Sequence, residues 1–128
     1  MRGWLAGQSD DRPASWLVGD DPLVAAALGL LHDAPAEPWT VERLARRLSV
    51  SRATLAARFS RRVGVPPMRY LAEWRMGLAS EYLADPAASV AAVGRRVGYD
   101  SPFTFSVAFK RQHGVSPSAY RRTALAAG

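Results

Sequence analysis

Arginine carries most of the chemistry this sequence can do. Residues 40–122 hold fourteen arginines and Lys110 against five carboxylates, a net charge of +10, whereas residues 1–39 hold two arginines against six carboxylates, a net of −4. A guanidinium presents a planar fork of donors that matches phosphate oxygens two at a time, and a basic block of this density attracts polyanions. Nucleic acid is the partner such a block implies; a solvated basic surface is the plainer alternative. The same inventory gives catalysis little to work with. There is no cysteine, which excludes disulfides, thiolate metal sites and thiol nucleophiles. No nucleophile motif, phosphate-cradling glycine loop or metal-ligand spacing occurs, so neither enzymatic activity nor a cofactor is expected. His32 and His113 stand alone at helix ends, where the helix dipole accounts for them. The Asp10-Asp11 and Asp20-Asp21 pairs lack the further spaced oxygens that calcium needs.

The basic residues sit in a repeat. FSRRVGVPPMRY, residues 59–70, returns as FKRQHGVSPSAY, residues 109–120: Phe59, Arg61, Gly64, Val65, Pro67 and Tyr70 are matched fifty positions later by Phe109, Arg111, Gly114, Val115, Pro117 and Tyr120. A closure written twice implies a unit built twice, and the segments before each copy say which unit it is.

Asp21-Pro22 is a helix start, with Asp21 as cap and Pro22 where its missing N–H costs nothing. Leu23, Ala27, Leu30 and Leu31 then share a face to about Asp33. Thr40 caps a second helix whose Val41, Leu44, Ala45 and Leu48 point inward, with Trp39 stapling its start. After the short turn Ser49-Val50, Ser51 caps a third helix with Leu55, Phe59 and Val63 inside, closed by Gly64 in a left-handed conformation. Two helices joined by about three residues, the second rich in arginine, have the form of a helix-turn-helix. A long helix from Pro66-Pro67 to Asp85-Pro86 follows, its buried face Leu71, Leu78, Ala79, Tyr82 and Leu83. Ser89 caps a fifth helix with Val90, Val93 and Val97 inside and Arg95 and Arg96 outside. Gly98-Tyr99-Asp100 turns the chain into a sixth helix, capped by Ser101 with Pro102 at its first position, and a short seventh helix begins at Ser116-Pro117. No segment alternates with the period of a half-buried strand. The expectation is an all-α fold of seven helices: a linker or tail over 1–20, a first helix-turn-helix subdomain over 21–65, a linker helix over 66–85 and a second subdomain over 86–128.

These residues resemble the DNA-binding domain of the AraC/XylS family of bacterial transcription regulators over residues 39–122. The second unit, VGYDSPFTFSVAFKRQHGVSPSAYR, carries the Gly-Tyr-x-Ser, Phe-x-x-x-Phe-Lys and Gly-x-Ser-Pro-x-x-Tyr-Arg elements of the family signature. The first, PWTVERLARRLSVSRATLAARFSRRVGVPPMRYLAEWRM, resembles the subset whose sensor is a cupin-like barrel. The resemblance implies sequence-specific binding of double-stranded promoter or operator DNA, with both recognition helices in successive major grooves. A linker helix of about 18 residues spans roughly 27 Å, close to the ~34 Å between grooves on one DNA face. Two different heads on one chain would read an asymmetric site without a dimer partner.

Carried over by position, the base-reading residues are Ala53, Ala56 and Ala57 on the third helix and Pro102, Phe103, Ser106 and Val107 on the sixth. Arg52 and Arg58 flank the first set and are divided between bases and phosphates. Arg46, Arg47, Arg61, Arg62, Arg95, Arg96, Lys110 and Arg111 are the phosphate candidates. Alanine offers only a methyl contact to thymine where the family more often has long polar side chains. Phe59, Phe105, Phe109, Tyr70 and Tyr120 are expected in the core, Phe103 either exposed or partly buried, and Arg75 in a structural ion pair with a carboxylate.

The rival to DNA binding is a protein-interaction module that meets a sensor or polymerase subunit. No run approaches the roughly 18 to 20 apolar residues of a membrane span, and the N-terminus lacks a basic-then-apolar leader, so no membrane partner and a cytoplasmic location are expected. Regulators of the resembled family carry a separate sensor domain. The chain is then either a stand-alone regulator or the C-terminal part of a longer one; GWLAG near the start resembles the exit from a cupin-type sensor and favours an N-terminal sensor domain in a full-length protein, with RNA polymerase a further candidate partner.

Overall fold

A computed structural model of the chain describes residues 21–127, and the expected linker or tail over 1–20 lies outside them. The described residues form seven α-helices and no strand: α1 Pro22–Asp33, α2 Val41–Arg47, α3 Arg52–Val63, α4 Pro67–Tyr82, α5 Val90–Arg96, α6 Pro102–His113 and α7 Pro117–Ala127. The chain divides into two compact units, one of residues 21–31 with Trp39–Met68, the other of His32–Pro38 with residues 69–127.

Local sequence explains most helix boundaries. The hydroxyls of Thr40, Ser51 and Ser89 each accept the backbone N–H three residues on, and Ser101 accepts from both Phe103 and Thr104. Each such cap satisfies a donor that the first turn would otherwise leave open. Helices α3 and α6 both end in a left-handed glycine, Gly64 and Gly114, whose N–H reaches back to Ser60 O and Lys110 O. Helix α7 is longer than expected, with 11 residues.

In the first unit α2 packs on α3. Leu44, Ala45, Leu55 and Phe59 are buried there, with Trp39 and with Val24, Ala27 and Leu31 of α1. Leu23 and Leu30, expected on the buried face of α1, are only half-buried. The segment PLVAAALGLL is apolar nearly all round, so its periodicity does not single out one face, and the side bearing Val24 and Leu31 is the one taken inside. In the second unit α6 packs on α5 and α7. Its core is Met76, Ala79, Leu83, Val93, Val97, Phe105 and Phe109, with Leu78, Tyr82, Val90, Tyr99 and Tyr120 packed around it. The face of α4 is therefore turned slightly from the expected one. Met76 is buried, and Leu78 and Tyr82 fall on its flank, because Met76, Ala79 and Leu83 keep the i, i+3, i+7 spacing of a single stripe.

Candidate nucleic-acid interface

Each unit builds one outward helix face by burying the opposite one. On α3, Leu55 and Phe59 are inside while Ala53 and Ala57 are exposed and Ala56 is half-buried. On α6, Phe105 and Phe109 are fully buried, leaving Pro102, Phe103 and Val107 exposed and Ser106 half-buried. Phe103, open between two expectations, is 77% exposed. The turn ahead of each helix is built alike: the residue after the α2 and α5 caps is left-handed, Ser49 at φ 59° and Gly98 at φ 102°. Backbone N–H groups of Val50 and Tyr99 then close on Ala45 O and Gly94 O.

The eight phosphate candidates, Arg46, Arg47, Arg61, Arg62, Arg95, Arg96, Lys110 and Arg111, are all exposed. Some also make contacts within their unit. The Arg47 guanidinium lies 5.7 Å from the Trp39 ring centre, and that of Arg96 lies 3.9 Å from the Tyr82 ring centre. Such cation–π contacts rest the guanidinium on the ring while the side chain stays exposed to water.

The two arginines flanking the α3 face are engaged. Arg52 donates to Glu42 at 2.6 Å. The Glu42 carboxyl is held below its ordinary pKa, first by its own backbone N–H and then by Arg52. Arg58 forks onto Asp21, Nε to Oδ2 at 3.0 Å and Nη2 to Oδ1 at 2.5 Å. Asp21 is also the α1 cap, accepting from Leu23 and Val24. Its pKa is lowered chiefly by Arg58, against the opposing effect of burial, and the Arg58 pKa is raised by the same bond.

Three other sequence expectations change. Arg75 binds no carboxylate but the carbonyls of Pro35 and Glu37, at 2.7 and 2.9 Å, and burial lowers its pKa. His32 is not explained by the helix dipole alone: its Nε2 lies 2.6 Å from the Tyr70 hydroxyl and its ring stacks on Trp74, 4.2 Å between centres. His113 likewise stacks on Phe109 at 4.2 Å, with Nε2 3.2 Å from Met76 O. Arg121, to which sequence reasoning gave no role, binds the carbonyls of Leu83, Asp85 and Ala88 and so shapes the loop into α5.

Two units, each a helix pair with a short left-handed turn and a second helix whose outer face is open, define the class: a double helix-turn-helix protein. The profile of a helix-turn-helix domain family matches residues 44–123. An AraC-like transcription regulator of Streptomyces antibioticus is 47% identical over 116 residues, covering 90% of this chain and 38% of that protein. This chain thus spans a little over a third of that relative's length. Among solved structures, the C-terminal domain of the response regulator AraT from Geobacillus stearothermophilus is similar, with TM-score 0.78 and 34% identity over 80% of this chain and 86% of that one. The DNA-binding domain of AdpA, a global transcriptional factor solved with a target DNA, has TM-score 0.77 and 34% identity over 81% of this chain and 94% of that one. The chain belongs to the AraC-type family of helix-turn-helix transcription regulators and forms its DNA-binding domain. Among the described residues no helix is long and apolar enough to cross a membrane.

Proposed function

We propose that this chain binds double-stranded DNA sequence-specifically to regulate transcription in the bacterial cytoplasm, laying α3 and α6 in successive major grooves of one duplex. The observation that carries the reading is that each unit leaves one face of one helix open and surrounds it with exposed cations. Phosphate contacts set register and orientation, and contacts to base edges set sequence. The base-reading set is Ala53, Ala56 and Ala57 on α3 and Pro102, Phe103, Ser106 and Val107 on α6. Arg52 joins it by leaving Glu42, an exposed pair of little net worth. Arg58 is assigned to structure instead, because Asp21 holds it. Arg46, Arg47, Arg61, Arg62, Arg95, Arg96, Lys110 and Arg111 are the phosphate clamps.

Residues 21–65 and 86–128 act as the two binding subdomains and 66–85 as the link. Helix α4, at 16 residues, is about 24 Å long. The domain has no catalytic role. In a full-length regulator it would follow an N-terminal sensor and work by contact with RNA polymerase. Selection from a random duplex pool, followed by titration at several salt concentrations, tests the reading. A recovered consensus with a steep fall of log K against log salt is the expected result. A flat salt response without enrichment would exclude it.

A further inference from the structure

We infer that the reading faces select thymine methyl groups in the major groove. The inference rests on the proposed DNA binding and specifies its target chemistry. Phe103 is 77% exposed and Val107, one turn later, 42% exposed, while the core-facing side of the same helix is fully buried. Phe103 and Val107, four residues apart on one helix face, form a joined apolar strip in water, and such a patch, unlike a lone exposed side chain, marks a contact surface. Its place is well defined: Pro102 occupies the first helical position, and the Phe103 N–H is tied to Ser101 Oγ at 3.1 Å. The stripe continues into exposed Lys110 and Arg111, which suits a polyanionic partner rather than a neutral protein surface.

On α3 the corresponding stripe is Ala53 and Ala57 leading to Arg61, all exposed. Of the two arginines beside these methyls, Arg58 is held by Asp21, which leaves Arg52, in its exposed pair with Glu42, as the long polar side chain on the α3 reading face. Beside Arg52, the reading positions offer methyls, a ring and the Ser106 hydroxyl. Among the four bases the apolar mark in the major groove is the C5-methyl of thymine, whereas guanine and adenine are told apart by donors and acceptors, of which these faces offer only Arg52 and the Ser106 hydroxyl.

The test uses this chain with duplexes selected from a random pool, resynthesised with deoxyuridine for thymine at single positions. That change removes the methyl and leaves pairing intact. Each contacted thymine should lose about fourfold in affinity, the worth of one buried methyl-sized group. Placing 5-methylcytosine opposite guanine at those positions should bind better than plain cytosine. In the double variant Phe103→Ser with Val107→Ser, the thymine-to-deoxyuridine affinity ratio should fall to one at the positions α6 reads. A circular dichroism melt checks that the variant is folded. Equal affinity for thymine and deoxyuridine duplexes overturns the inference while leaving DNA binding intact. A ratio unchanged at every position in the double variant overturns it too. No salt-dependent binding to any duplex removes both readings.

Discussion

Asp21 serves two elements at once, capping α1 and holding Arg58 of α3. Replacing it with Ala should remove a helix cap, about 1 kcal/mol, and strand the guanidinium; with Arg58 already changed to Ala, the same substitution should cost less. Urea midpoints of the two single variants and the double variant check this coupling. The pH response has a definite sign. The folded Asp21 carboxyl has a lowered pKa, so its contribution is present above the ordinary value of 3.8 and is lost as pH falls through the lower folded value. Burial also lowers the His32 pKa, so the unfolded chain takes that proton first and stability declines earlier, as pH falls below 6.5. Urea midpoints measured against pH should show a first decline that His32→Gln removes. Caps were legible because a cap and its donor lie three residues apart. The Asp21 and Arg58 pair, 37 residues apart, carries no local signal. Ser49 is another such case: its turn was evident, its φ of 59° was not. Ser49→Gly should stabilise the chain by about 0.5–1 kcal/mol, the relief of a left-handed side chain less the added freedom of the unfolded glycine. An unchanged or lower melting temperature would contradict the strain.

At the scale of elements, the two helix-turn-helix units solve one packing problem with different volumes. Where the first has Ala45 and Leu55, the second has Gly94 and Phe105, and a Cβ on Gly94 would lie 2.9 Å from Phe105 Cγ. The ring occupies the space the glycine vacates. Gly94→Ala should therefore cost about 1–3 kcal/mol by overpacking, and adding Phe105→Leu, the first unit's pairing, should recover part of it. Failure of the second change to raise the melting temperature of the first would show that the two sites are not coupled. Phe59 and Phe109, both fully buried, should each lose about 3–5 kcal/mol as Phe→Ala, a large share of the roughly 5–15 kcal/mol that holds an ordinary domain folded; thermal melts check both. Helix types and starts were legible because capping and the repeat at fifty residues reinforce one another. The buried sides of α1 and α4 were less so. A nearly all-apolar helix and a helix with several adjacent apolar residues let tertiary packing choose the face.

Across the whole molecule, charge divides along the chain: +10 over residues 40–122 against −4 over residues 1–39. That asymmetry made a polyanionic partner legible, and the exposed cations keep it so; the side chains each helix face leaves free were not legible, because they depend on which arginines are already paired. Positioning and reading can be separated by experiment. Lys110→Ala removes one exposed charge without opening the core, so under the proposed function it should weaken binding to all duplexes alike. It should also reduce the slope of log K against log salt by about 0.9, one phosphate contact. Ser106→Ala instead removes a hydroxyl from a position proposed to face the groove and should change preference at one or two base pairs with the slope unmoved. Under the proposed function, two unlike heads on one chain also set an expected stoichiometry. A palindrome-reading dimer needs two identical chains on half-sites one helical turn apart, whereas here one chain carries both heads. Sedimentation of the complex on a single selected site should give one protein per duplex. The site should also lack two-fold symmetry, since the α3 face offers alanine methyls and the α6 face a phenyl ring and a valine. A complex that forms only with two chains, on a palindrome, would assign each chain a single working head.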